Sequence, residues 1–109
     1  MLMALTMMTM VTEGQVSCVI VYSNISNCMS YIRKGSPTPS PGSSCCSGVH
    51  YLGFLGSVSS DTRHRICSCL VSGAKTIKVN WTAADSLAGV CGVRYFPYEI
   101  SSDFKCSSF

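Results

Sequence analysis

The chemistry this chain can do is concentrated in eight cysteines, at positions 18, 28, 45, 46, 67, 69, 91 and 106. Thiols in such number suit either a metal centre or a disulfide framework. The metal option needs ligands at characteristic spacings. No C-x-x-C pair occurs here, and neither His50 nor His64 stands at zinc-finger spacing from a cysteine, so no metal site is read. An even cysteine count in a chain of 109 residues argues instead for disulfides made in an oxidising compartment. Cys45 and Cys46 are neighbours within SSCCSGV. Adjacent cysteines rarely meet the separation and torsion of a disulfide, so each must reach elsewhere. Eight cysteines allow roughly a hundred pairings, and the residues alone do not choose among them.

Other chemistries fare worse. Serines are plentiful, but neither histidine belongs to a nucleophile motif such as G-x-S-x-G, so no catalytic residue is assigned and the chain does not read as an enzyme. Nothing in the sequence calls for a cofactor. The net charge of +3 comes from eight Lys and Arg against five Asp and Glu. Those basic residues are scattered rather than interleaved with aromatics, which argues against a nucleic-acid partner. A mild positive charge favours transient contact with anionic membrane surfaces. Asn24-Ile25-Ser26 and Asn80-Trp81-Thr82 are sequons, of which Asn80, before a helix start, is the better candidate for glycosylation.

The elements that carry the cysteines are helical by pattern. Residues 1–14, MLMALTMMTMVTEG, stand apart as a signal-peptide remnant or N-terminal extension, apolar but too short to span a bilayer. Residues 15–109 are expected to form one domain. Cys18 to Lys34 places Cys18, Val21, Tyr22, Ile25, Cys28, Met29 and Ile32 on one helical face. Lys34 to Ser44, KGSPTPSPGSS, cannot be helical and reads as a loop within the domain. Cys45 to Val58 repeats the spacing through Val49, Leu52 and Leu55, weakened by Gly48, Gly53 and Gly56. A third helix, capped by Ser60 or Asp61, runs through Ile66, Cys67, Leu70 and Val71 toward Gly73. In TAADSLAG, Thr82 and Asp85 suggest a capping box and Gly89 a stop. After Cys91 the pattern fails. The expectation is an all-α fold of four short helices with a long irregular C-terminal tail. Consecutive helical residues point about 100 degrees apart, so Cys45 and Cys46 can tie one helix to two neighbours.

The order C…C…CC…CxC…C…C, with these spacings, resembles the plant non-specific lipid transfer proteins of type 1, in the eight-cysteine, prolamin-type superfamily. CMSYIRKG at 28–35, CCSGV at 45–49 and PYEIS at 97–101 narrow the match, and the resemblance covers nearly all of residues 15–109. It implies the pairs Cys18–Cys69, Cys28–Cys45, Cys46–Cys91 and Cys67–Cys106. The polar Ser68 between Cys67 and Cys69 favours this connectivity over that of type 2, in which the partners of those two exchange.

The family encloses an apolar tunnel for an acyl chain. By resemblance and helical phase the lining is assigned to Val21, Ile25, Val49, Leu52, Leu55, Ile66, Leu70, Leu87, Val93, Tyr98 and Ile100. Arg63 stands at the family's basic position near the lipid head, and the Tyr98 hydroxyl could bond a lipid carbonyl. Trp81 is expected to cover part of a loop, with nothing to mark it as a ligand anchor. The family's entrance motif is altered: SSDTR has Asp61 one place early, so an Asp–Arg pair at the mouth is not expected in its usual form. The implied function is a secreted, monomeric carrier of fatty acids, lysolipids or phospholipids, working in the cell wall or apoplast. It would move lipids between membranes or to extracellular barriers. The alternatives on the same frame are an amylase or protease inhibitor docking through GSPTPSPGSS, and a defensive, membrane-active protein.

Overall fold

The computed structural model describes residues 16–98, 100, 102 and 106, and within them every regular element is helical. Helix α1 spans Cys18–Ile25, a 3₁₀ turn spans Ser26–Cys28, and α2 spans Met29–Lys34. Helices α3 (Ser44–Val58), α4 (Ser60–Ala74) and α5 (Trp81–Val90) follow. The expected signal segment lies outside the described residues, as does most of the chain beyond Ile100.

The expected first helix is thus interrupted, and its polar residues supply the reason. Ser23 Oγ and Asn24 Nδ2 both donate to the carbonyl of Ile20, and Ser26 Oγ donates to that of Ser23. Such bonds to carbonyls three or four residues back compete with the helical ladder. Cys28, at the end of the turn, is held to Cys45. Beyond it, α2 ends at Gly35, whose φ of 83° is a left-handed conformation that favours glycine.

Other boundaries shift for local reasons as well. Ser59, rather than Ser60 or Asp61, caps α4, accepting from the Thr62 N–H at 3.1 Å. Its hydroxyl also donates to Thr62 Oγ1, which satisfies a fully buried polar side chain. Asn80, not Thr82, caps α5 by accepting from the Ala83 N–H at 3.0 Å. Gly89 lies inside α5, and the left-handed residue is Gly92, at φ 75°. Gly73 lies inside α4, against the ring of Tyr22.

All four disulfides implied by the resemblance are present, with Cα separations of 5.2 Å for Cys18–Cys69, 4.8 Å for Cys28–Cys45, 5.1 Å for Cys46–Cys91 and 5.7 Å for Cys67–Cys106. The adjacent pair divides as expected. Cys45 ties α3 back to the 3₁₀ turn, and Cys46 ties it forward to the end of α5. Among the described residues, buried side chains form two clusters rather than one. The first joins α2, the start of α3 and α5 through Tyr31, Ile32, Val49, Ala83 and Leu87, and holds Cys28–Cys45 and Cys46–Cys91. The second joins α1, the rest of α3 and α4 through Val21, Leu52, Leu55 and Ile66, and holds Cys18–Cys69 and Cys67–Cys106. Each cluster thus has its own two covalent ties, and α3 contributes to both.

Candidate functional site: an apolar cavity between the clusters

A cavity of about 280 Å³ lies between the two clusters and is walled by members of both. Ile25, Met29 and Ile32 come from the first helical segment, Val49 and Leu52 from α3, and Ala84 and Leu87 from α5. Leu70, Gly73 and Ala74 come from the last turns of α4, and Phe96 and Ile100 from the tail. The connection between α4 and α5 supplies Thr76, Ile77 and Val79, followed by Trp81, while Tyr22 of α1 faces it across Gly73. An apolar void of about 150 Å³ already stays dry and takes up a benzene-sized guest. This one is larger and lies near the lower end of the range of small-molecule pockets.

Of the residues expected to line a tunnel, Ile25, Val49, Leu52, Leu70, Leu87 and Ile100 lie in the wall. Val21, Leu55 and Ile66 are packed in the second cluster instead, and Val93 packs against the first. Sequence reasoning passed over Tyr22, Met29, Ile32 and Ala84, although the first three carry the correct helical phase. It also passed over Phe96 and the whole α4–α5 connection, including Trp81. The signal there is an alternation: Ile77 and Val79 face inward, whereas Lys75 and Lys78 are exposed.

Arg63 and Tyr98, expected at the lipid head, do not line this cavity themselves but bond to the backbone of α3, whose Leu52 is in its wall. Arg63 Nη1 donates to the carbonyl of Gly56 at 2.9 Å. The Tyr98 hydroxyl donates to the carbonyl of Leu52 at 2.8 Å, so its one proton is already committed to α3. Phe96, which does line the cavity, meets the Tyr98 ring edge-on with centroids 4.9 Å apart. Burial holds the Tyr98 phenol protonated well above the usual tyrosine range, opposed in part by the nearby Arg63 charge. Cys45, Cys46 and Cys91 are the closest approach to a metal-ligand cluster among the described residues, but all three sulfurs are in disulfides.

Chemically, the arrangement can hold an extended apolar body away from water. The sequence profile of the protease inhibitor/seed storage/LTP family matches residues 18–106. Non-specific lipid-transfer protein 4 of Lens culinaris is 38% identical over 107 residues, 97% of this chain and 93% of that protein. Among solved structures, barley non-specific lipid transfer protein 1 in complex with L-alpha-lysophosphatidylcholine superposes with a TM-score of 0.74 at 36% identity, over 86% of this chain and 99% of that one. The wheat non-specific transfer protein complexed with two molecules of phospholipid gives a TM-score of 0.73 at 36% identity, over 86% of this chain and all of the other.

Proposed function

The chain belongs to the protease inhibitor/seed storage/LTP family, and from that premise we propose that it is a lipid carrier, taking fatty acyl chains, lysolipids or phospholipids into the cavity. The observation that carries this reading is the cavity itself, walled by apolar side chains from every helix and the tail. Each methylene moved from water into such a site contributes about 0.8 kcal/mol, so an acyl chain can be held by burial alone against its loss of freedom. The relatives solved with lysolipid and phospholipid support the same ligand class.

Transfer needs capture and release at membranes but no bond-breaking, and no catalytic role is assigned. Four disulfides and the family's character support an extracellular setting, in the cell wall or apoplast, with a signal segment within residues 1–14. The wall residues that would contact the acyl chain are Ile25, Val49, Leu52, Leu70, Leu87 and Ile100, joined by Met29, Ile32, Ile77, Val79 and Phe96.

The test is titration of the oxidised protein with a fluorescent fatty acid, followed by displacement with unlabelled fatty acids and lysolipids. Saturable binding at one or two sites per chain, lost on reduction, is expected. Absence of saturable binding by the correctly bridged protein would overturn the carrier reading. The exposed proline-rich loop between α2 and α3 would then be the place to look for an inhibitor's contact.

A further inference from the structure

We propose that the outer face of α3, with the adjoining edge of α1 and Tyr95 of the tail, is a docking surface for an anionic lipid membrane. This deepens the carrier reading, on which it rests, by naming the surface that meets a donor or acceptor bilayer.

Helix α3 is apolar on two sides. Val49, Leu52 and Leu55 are buried inward, while Tyr51, Phe54 and Val58, spaced three and four residues apart, form a second row that is exposed, Phe54 by 62%. A helix apolar all round is ordinarily covered all round, yet among the described residues nothing covers this row. The row continues onto two neighbours. The Cys28–Cys45 bridge and the contact of Asn24 with Gly48 set α1 antiparallel to α3. One turn back along α1 from Asn24 lies Ile20, and one turn forward along α3 from Gly48 lies Tyr51, so the exposed Val19 and Ile20 border the row. Val21 is buried with Leu52 and Leu55 in the same register. On the other side the Tyr95 carbonyl lies against Gly53, which places Tyr95, also exposed, beside the turn of α3 that carries Phe54.

The chemistry of this face suits a lipid surface. Tyr51 and Tyr95 join an apolar ring to a hydroxyl, the combination that settles at a membrane–water boundary, and Phe54 and Val19 add purely apolar contact. Charge is complementary as well. No acidic residue occurs at positions 16–60 or 86–98, the segments that build the face, and Arg94 is exposed next to Tyr95. Asp61, three residues past Val58, is paired with Arg65 at 3.4 Å. Anionic head groups therefore meet positive charge here without repulsion. Among the described residues no helix is long and apolar enough to cross a membrane, so the contact is peripheral. A protein partner fits less well. A stable protein interface takes about 20–30 residues a side, and a second copy would bring like charge to like. At a bilayer boundary a few side chains suffice, because each contributes through its own burial.

Tyr51, Phe54 and Arg94 are exposed and absent from the cavity wall, so replacing them separates docking from uptake. The oxidised protein would be sedimented with vesicles of phosphatidylcholine alone and of phosphatidylcholine with phosphatidylglycerol. Stronger binding to the vesicles that contain phosphatidylglycerol is expected. Y51Q/F54Q should bind them about tenfold or more weakly than the parent. R94Q should bind them about three- to fivefold more weakly, with no change on phosphatidylcholine alone. Both variants should take up a fluorescent fatty acid as the parent does, while Y51Q/F54Q passes it between vesicles more slowly. Full vesicle binding by Y51Q/F54Q, or none by the parent, overturns the proposal even where fatty acid is taken up. Self-association of the parent that Y51Q/F54Q abolishes, with vesicle binding unchanged, would give the face to a second copy and overturn it too. Vesicle binding through this face by a parent that takes up no fatty acid would uphold the docking surface and remove the carrier reading.

Discussion

The carbonyl of Asn24 on α1 lies against Gly48 of α3, where an added β-carbon would overlap it. Read from sequence, the glycines of α3 are helix-weakening residues. In the structure Gly48 lets two helix backbones touch, and Gly56 makes room for Pro97 and Tyr98 of the tail. Gly48→Ala is therefore expected to destabilise by about 1–3 kcal/mol or more, since the obstructing atom is backbone and cannot rotate away. Gly89→Ala is the contrasting case. Its β-carbon meets nothing within 4 Å, and the gain in helix propensity should stabilise α5 by about 0.5–1 kcal/mol. Guanidinium melts of both variants with disulfides intact would check the signs. Tyr98 carries a second residue-scale expectation. Its folded-state pKa is raised, chiefly by burial, so the folded protein holds the phenolic proton more tightly than the unfolded chain. That contribution is complete below the ordinary tyrosine pKa of about 10 and is lost as pH rises above it. Tyr98→Phe should lose about 0.5–1.5 kcal/mol at neutral pH with the bond to Leu52, yet decline less steeply than the parent in alkaline melts.

At the scale of elements, periodicity located each helix but not its ends. The apolar phase of residues 18–32 was correct on both sides of the 3₁₀ turn. What hid the turn was a contest between side-chain and backbone hydrogen bonds around Ser23, Asn24 and Ser26, which hydrophobic spacing does not register. Caps were misplaced by one or two residues for a related reason. Ser59, Ser60 and Asp61 are all competent N-caps, and Ser59, which serves, also satisfies the buried Thr62 hydroxyl. Ser59→Ala removes the acceptor of the Thr62 N–H and the donor to its hydroxyl together. A loss at the upper end of the usual 0.5–2 kcal/mol range for a cap is expected, read as a lowered denaturation midpoint with an unchanged slope. The cavity wall was partly legible for the same reason the helices were. Ile25, Val49, Leu52, Leu70 and Leu87 sit on inward faces that a 3.6-residue period reveals. Helical periodicity could not reveal the α4–α5 connection, because Ile77 and Val79 turn inward from a non-helical segment whose signal is alternation.

At the scale of the whole molecule, the cysteine order carried the most information. Composition and spacing allowed many pairings, and the family resemblance selected the one the structure contains. The split of that framework between two clusters explains how a domain of this size keeps a large void. An ordinary core would lose stability in proportion to the cavity it left open. Here each cluster is bridged twice on its own side, so the space between them need not be filled for either to persist.

Such a void is also a reservoir of volume. Unfolding eliminates it, so hydrostatic pressure favours the unfolded chain in proportion to the space removed. A lipid that occupies the cavity takes that space out of the balance. The empty protein should therefore unfold at lower pressure than the loaded one, and with a larger negative volume change, even after the binding energy itself is subtracted. Pressure-dependent fluorescence of Trp81, with and without palmitic acid, would display the difference. The volume change of unfolding is thus a property in which the empty and loaded carriers should differ.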